Sequence, residues 1–112
     1  MMKVKVSEAK EQVLGYLVAE ANGVPIYRSG KTLTRMDMDG NHYWQPSTDW
    51  AQGGLIIERE KIAIDWDHDC WNASTDSHPA YYSAETPLVA AMRCYVASKL
   101  GDEVDIPEGV QA

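Results

Sequence analysis

The sequence predicts an α+β domain: an antiparallel sheet of four to six short strands packed by two helices, over about residues 8–21 and 87–100. Three observations lead to this prediction. Apolar residues recur at helical spacing near both ends of the chain. The stretch between them alternates in short runs, and Gly, Asn and Asp separate these runs as turn residues do. At 112 residues, the chain is expected to form one domain over residues 1–112.

The first helix is predicted over residues 8–21, after a short strand from Lys3 to Val6. Ser7 is expected to be its N-cap, and Asn22-Gly23 its end. Gly15 in the helix interior costs roughly 1 kcal/mol relative to Ala, which predicts a close backbone contact there. The apolar face comprises Ala9, Val13, Tyr16, Leu17 and Ala21.

A hairpin is predicted from Pro25 to Met38, with its turn at Ser29-Gly30 and its second arm over residues 31–38. Asp39-Gly40-Asn41 predicts another turn. Residues 42–54 have no clean period, but two Trp and a Tyr indicate an ordered loop. Later strands are predicted over residues 55–57, 62–66, 70–73 and 80–83, with connections at 58–61, 67–69 and 74–79.

The last helix has the clearest local signals. Thr86 is expected to be its N-cap, Pro87 its first residue and Gly101 its C-terminal stop. Its predicted buried stripe comprises Leu88, Met92, Tyr95, Val96 and Leu100. In the acidic tail, Val104 and Ile106 are expected to pin the chain to a sheet edge.

Charge and composition exclude several functions. The formal charge of -7 disfavours binding to a nucleic acid polymer or an anionic membrane, since both need clustered Lys and Arg. No uncharged run is long enough to cross a bilayer, and the N-terminus has no apolar signal segment, so a cytoplasmic protein is expected. Cys70 and Cys94 are expected to be free thiols, with a disulfide as the alternative.

The segment Pro46 to Glu60, PSTDWAQGGLIIERE, combines an aromatic face, polar side chains and a Gly pair. Trp50 offers a ring for stacking on a base, and Gln52 can donate and accept at a base edge. Gly53 and Gly54 allow a ligand to approach the backbone. The alternative is a loop capped by its own Ser, Thr and Asp side chains, with Trp50 in the core.

Two arginines are expected to meet a phosphate, since an inward Arg is its natural partner in an acidic protein. These are Arg59 and Arg93, and Arg93 is expected to point inward; surface ion pairing is the alternative. The predicted ligand-binding set is Thr48, Asp49, Trp50, Gln52, Gly53, Gly54, Arg59 and Arg93.

Metal and catalytic sites are not expected. The run Asp65 to Cys70 lacks the Gly and Glu of a calcium loop and the second His/Cys pair of a zinc site, so it is interpreted as a solvated turn. Cys94 with a histidine, or Asp49 with Glu58, are the enzyme alternatives. Cys94 is expected to be a buried, inert thiol. The histidines considered are His42, His68 and His78. The prediction is a non-enzyme without a cofactor or metal.

Three segments carry a family resemblance: KVKVSEA at 3–9, STDWAQGGLIIEREKI at 47–62 and TPLVAAMRCYVASKLGDEVDIP at 86–107. They resemble the NinX family of short proteins encoded by lambdoid phages and prophages, although members tend to have Pro where this chain has Leu55. The resemblance implies a phage accessory protein in the host cytoplasm. The predicted fold and the Asp-Trp pair are also similar to small phage counter-defence proteins that bind nucleotide immune signals without cleaving them, as homo-oligomers.

Two functional hypotheses follow. In the first, the protein is a non-catalytic counter-defence protein that sequesters a small nucleotide-type immune signal. The pocket would be built around residues 47–54, within one chain or at a subunit interface of a homodimer or tetramer. The alternative is an interaction module that binds a host or phage protein through the acidic tail and helix 86–100.

Overall fold

The computed structural model describes residues 2–30, 32–36, 43–76 and 78–110, without the side chains of 78–80. Within these residues, three α-helices and seven strands form an α+β fold, so the predicted class is confirmed. The helices are α1 (Glu11–Asn22), α2 (Trp50–Glu60) and α3 (Pro87–Leu100). The strands are β1 (Met2–Lys5), β2 (Ile26–Ser29), β3 (Thr32–Arg35), β4 (Ala63–Asp67), β5 (Cys70–Thr75), β6 (His78–Ala84) and β7 (Glu103–Ile106).

The described strands form three antiparallel sheets rather than the one sheet of the prediction: β1–β7, β2–β3 and β4–β5–β6. The expected role of the tail is confirmed, because β7 pairs with β1 and Ile106 is fully buried. Lys3 lies opposite Asp105 and Lys5 opposite Glu103, so opposite charges face each other across this ladder.

Helix α3 is the central element of the core. Thr86 accepts a hydrogen bond from the Val89 backbone N–H at 3.2 Å, and Gly101 ends the helix with a φ of 95°, as predicted. The helix packs against β5, β6 and α1. Its fully buried residues are Leu88, Ala90, Ala91, Met92, Cys94, Tyr95, Val96 and Ala97.

Helix α1 begins later than predicted. Ser7 is not its N-cap, because Val6–Glu8 form a 3-10 turn and the helix starts at Glu11. The predicted close contact at Gly15 is confirmed: a β-carbon there would lie 3.2 Å from Leu33 Cδ1. Gly23, with a φ of 67°, ends the helix at the predicted place.

Helix α2 corrects the largest error of the sequence prediction. Residues 50–60 form a helix, where a loop through 54 and a strand over 55–57 were predicted. The Asp49 carboxylate caps the helix by accepting from the Ala51 N–H at 2.9 Å. Each glycine lowers helix propensity by about 1 kcal/mol, but buried Ile56 and Gly53 face the core and hold the segment in place.

The remaining differences lie in the hairpins. Residues 74–79 were predicted as a loop, yet β5 extends to Thr75 and β6 begins at His78, with an irregular register between Ala73 and Thr75. The second arm of the first hairpin ends at Arg35; residues 37–38 and the turn predicted at 39–41 lie outside the described residues. No described helix has the length and hydropathy needed to cross a membrane.

Candidate functional site

The segment from Tyr43 to Asp49 is anchored to β3 and α1. The Trp44 backbone N–H donates to the Leu33 carbonyl at 2.7 Å, and its buried indole Nε1 donates to the Gly15 carbonyl at 2.8 Å. A β-carbon at position 15 would lie at ordinary contact distance from the indole, 3.9 Å from Trp44 Cδ1, and closer to Leu33 Cδ1, at 3.2 Å. Trp44 thereby fixes the segment to the helix.

Gln52 closes the segment against α2. Its amide nitrogen donates to the Tyr43 carbonyl at 2.6 Å, and its amide oxygen accepts from the Gln45 backbone N–H at 2.6 Å. Both ends of this amide therefore bind backbone groups, which orders residues 43–45. The same two groups were predicted to contact a ligand.

A cavity of about 470 Å³ lies between this segment, α1 and β3. Its walls combine aromatic, apolar and uncharged polar side chains with one carboxylate, that of Glu11. The ring-bearing residue Tyr43 is 56% exposed, so its face is available to a ligand. The lining residues are Glu11, Gln12, Thr32, Leu33, Tyr43, Trp44, Gln45, Ser47 and Thr48.

Thr48 is the one member of the predicted ligand-binding set that lines this cavity. Asp49 caps α2, and Trp50 is 55% exposed at the start of the helix rather than buried in the core. A β-carbon on Gly53 would overlap the Pro46 carbonyl oxygen and approach Leu88 Cδ1 to 2.7 Å, whereas one on Gly54 would make only an ordinary contact with Trp50. Gly53 therefore serves the packing of α2.

Arg59 lies at the opposite end of α2 from Trp50, about 14 Å along the helix axis. Its guanidinium pairs with Glu60 at 2.9 Å and donates to the Tyr95 hydroxyl at 3.1 Å. The hydrogen bond from Arg59 is the main reason that the pKa of Glu60 lies below its usual value. Arg59 thus links α2 to α3.

Arg93 points inward, as expected, and lines a second cavity of about 490 Å³. Its Nε donates to the Ala9 carbonyl and its Nη1 to the Ser83 carbonyl, both at 2.8 Å. Burial lowers the pKa of this guanidinium. Lys10 lines the same cavity, so two cations border it together with the carboxylate of Glu85.

Cys94 is fully buried, and burial raises the pKa of its thiol to about 11. It is therefore protonated at neutral pH and is not an activated nucleophile. Within the described residues, no three His, Cys, Asp or Glu side chains are grouped to hold a metal ion. His42 and the side chain of His78 lie outside the described part of the chain.

The sequence argument missed most of the cavity wall. Gln12 and Leu33 lie more than 10 residues before the segment that was singled out, and periodicity assigns them only to a helix and a strand. The signal that was available lay in residues 43–45, where Tyr, Trp and Gln stand together in a stretch without a period. Aromatic residues in such a stretch indicate local order.

The comparisons with known proteins gave one finding. A family model described as Bacteriophage P22, NinX matches residues 5–99 of the chain. This match includes the residues that line the first cavity and both predicted arginines, Arg59 and Arg93. No curated protein matched the chain.

Proposed function

This chain belongs to the bacteriophage P22 NinX family of phage proteins, and we propose that it is a phage accessory protein that sequesters a small nucleotide-type ligand without catalysis. In the full form of the proposal, the ligand is an immune signal and the protein acts in counter-defence. The observation that carries the proposal is the cavity between α1, β3 and residues 43–48.

The size and lining of this cavity support a small, planar, polar ligand. Its volume of about 470 Å³ lies within the range of about 300–1,000 Å³ common for ligand pockets. Tyr43 supplies a ring for stacking on a base, and Gln45 and Thr48 supply donors and acceptors for its edge. Glu11 can accept from a ring amino group.

The cavity wall is held in place by the rest of the fold. Trp44 is fixed by Gly15 and Leu33, and the backbone of residues 43–45 is fixed by Gln52. A pre-formed wall lowers the entropic cost of binding, because few side chains have to be ordered by the ligand. In this proposal Gln52 acts by positioning Tyr43 and Gln45.

The charges near the start of α1 favour one ligand orientation. Glu11 borders the first cavity, whereas Lys10 borders the second cavity together with Arg93. An anionic group is disfavoured beside Glu11 and favoured at the second cavity, where two cations, Lys10 and Arg93, outnumber the one carboxylate, Glu85. We therefore assign the base to the Tyr43 cavity and a phosphate to the Lys10 and Arg93 side.

The test begins with mass spectrometry. The purified protein is incubated with a panel of cyclic di- and trinucleotides and NAD-derived signals, washed and heat-denatured. Release of an intact nucleotide at about one per site is the expected result. A converted product would make the protein an enzyme, and an empty fraction across the panel would overturn nucleotide binding.

Variants then locate the site. Tyr43→Ala is expected to weaken binding about 5- to 150-fold, because one stacked base contributes about 1–3 kcal/mol. Tyr43→Phe keeps the ring and serves as its matched control. Trp50→Ala is expected to retain binding; if Trp50→Ala loses the ligand and Tyr43→Ala keeps it, the site is the surface of residues 49–54 instead.

A protein-binding module built on the tail and helix 86–100 has less support. Most of α3 faces the core, and β7 is paired with β1 through Ile106. Residues of α3 and β7 that are buried in the core are therefore not exposed to a partner protein.

A further inference from the structure

The three-stranded sheet β4–β5–β6 belongs to an anionic part of the chain. Residues 62–92 contain no Lys or Arg, while the chain as a whole has 10. The acids in this interval are Asp65, Asp67, Asp69, Asp76 and Glu85. Three of these acids lie at the tip of the β4–β5 hairpin, which we define as residues 65–71.

Two tryptophans form a cross-strand pair at this hairpin tip. Trp66 on β4 lies opposite Trp71 on β5, with ring centroids 5.3 Å apart and ring planes at 58°. Trp66 is 57% exposed, although its side chain is large and mostly apolar. The tip therefore presents an aromatic surface to solvent.

The carboxylates next to Trp66 in the chain are not neutralised, and those of Asp65 and Asp67 lie on the opposite face of the sheet from the indole. Asp65, Asp67 and Asp69 are exposed, and none of them makes an ion pair within the part of the chain that the structure describes. They are also not arranged as a metal cage, since no metal-binding group of three is found among the described residues. Their negative potential is thus available to a cation.

The tip of the hairpin reverses direction at His68. His68 adopts a left-handed φ of 54°, which a non-glycine residue rarely does. The five aligned residue pairs from Ala63↔Ser74 to Asp67↔Cys70 fix the spacing of the side chains behind it. The backbone register therefore sets where Trp66 and the neighbouring acids leave the strand.

Strand β4 also offers backbone groups to a partner. Among the described strands it pairs with β5 alone, so its other side is an open edge. An extended peptide can add to such an edge through main-chain hydrogen bonds, and its alternate side chains then meet the side chains of the edge strand. A peptide can use the backbone hydrogen-bonding groups of this edge, whereas a small organic cation cannot, so a peptide is the better fit.

We propose that the hairpin tip is a docking surface for an extended, Lys- or Arg-bearing segment of a partner protein. The segment pairs with β4, whose side chains alternate between the two faces of the sheet. On one face a cationic side chain stacks on Trp66, and on the other face cationic side chains meet Asp65 and Asp67, with Asp69 at the turn. A nucleic acid polymer carries the wrong charge for this surface. The proposal does not rest on nucleotide binding, because it uses none of the cavity residues.

The test uses the full-length protein and fluorescein-labelled synthetic peptides, with fluorescence anisotropy as the readout. An N-acetylated (Arg-Arg-Thr)3 amide, which places Arg on both faces of an extended peptide, is the probe, and the (Glu-Glu-Thr)3 peptide is its charge-reversed control. The Arg peptide is expected to bind, and to bind more weakly as salt rises, whereas the Glu peptide is not expected to bind. Failure of the Arg peptide to bind at low salt would overturn the proposal.

Matched variants locate the contact. Asp67→Asn with Asp69→Asn is expected to weaken binding at least tenfold, and so is Trp66→Ala. Glu20→Gln with Glu58→Gln removes the same charge elsewhere, and Tyr81→Ala removes a side chain on the same sheet that is 67% exposed; both are expected to bind normally. Equal losses in the tip and control variants would contradict the site.

Two other results would indicate a different ligand for the hairpin tip. If Mg²⁺ or Ca²⁺ at millimolar concentration binds the wild-type chain but not the Asp67→Asn, Asp69→Asn variant, and the peptide does not bind, the tip is a metal site. If the peptide does not bind and Trp66→Ala abolishes self-association, the occupant is a second copy. Either result would replace the proposal.

Discussion

At the scale of single residues, Gly53 and Gly54 are neighbours with different surroundings. A side chain on Gly53 would meet the Pro46 carbonyl and Leu88, while one on Gly54 would make an ordinary contact with Trp50 Cε3 at 3.6 Å. A substitution at Gly53 therefore tests packing, whereas the same substitution at Gly54 tests helix propensity.

Gly53→Ala is expected to lower the free energy of unfolding by about 1–3 kcal/mol, because the added methyl group has to displace the segment before α2. Gly54→Ala is expected to raise it by up to about 1 kcal/mol through helix propensity. Urea denaturation of both variants checks this. Similar effects of the two changes would contradict the assigned packing.

The burial of Cys94 predicts how the stability of the fold depends on pH. Burial raises the pKa of its thiol from 9.0 to about 11 in the folded chain. The protonated thiol is the form that the fold accommodates, so its contribution to stability is complete below about pH 9 and is lost as the pH rises toward 11. Stability is therefore expected to fall over this interval.

The measurement is the free energy of unfolding of wild type and Cys94→Ala between pH 8 and 11. Tyrosines also titrate in this range, so the difference between the two proteins isolates the thiol. The wild type is expected to lose more stability than the variant as the pH rises. Parallel curves would show that Cys94 is not desolvated in the folded state.

At the scale of elements, the C-terminal strand stabilises the fold rather than forming a free tail. Ile106 is fully buried and Val110 almost so, and β7 supplies the only strand that pairs with β1 among the described residues. Two of the acidic residues of the tail, Asp105 and Glu103, lie opposite Lys3 and Lys5 in the β1–β7 ladder.

Ile106→Ala is expected to lower the free energy of unfolding by about 2–5 kcal/mol, because the substitution removes buried methyl groups and leaves a cavity. Val104→Ala on the same strand is the comparison, since Val104 is only half-buried and the cost is expected to be smaller. Thermal denaturation of both variants measures this. Deleting residues 102–112 is therefore expected to unfold the protein, so a loss of binding in that deletion variant would not by itself show that the tail contacts a partner.

At the scale of the whole molecule, the sheets have open edges and the surface retains large apolar side chains. Trp50 and Leu55 are exposed on α2, and β4 is an edge strand within the described part of the chain. Open strand edges and exposed apolar surface favour association. A homodimer or tetramer remains the expected state.

Sedimentation velocity over a range of protein concentrations tests this expectation. A species of twice or four times the 12.5 kDa chain mass is expected at micromolar concentration. Leu55→Lys is expected to shift the distribution toward the monomer if α2 is in the contact. A single monomeric species at all concentrations would contradict the expectation of an oligomer.

The sequence by itself determined the elements that carry local signals. Thr86, Pro87 and Gly101 bound α3 because capping and helix-stop chemistry act within a few residues, and the turn at 67–69 was evident from its polar residues between two alternating runs. The family was also evident from residues 47–62 and 86–107, since these segments are specific enough to be recognised without a fold.

Only the tertiary structure decided the identity of α2 and the position of the cavity. The Gly pair opposes a helix locally, but in the packed chain position 53 has no room for a side chain between Pro46 and Leu88, so the glycine there is required by the packing of α2. The cavity joins α1, β3 and residues 43–48, so its wall exists only when distant segments meet. Gln52 illustrates the same limit: its residue type predicts hydrogen bonding, and the packing directs that bonding to the backbone of Tyr43 and Gln45.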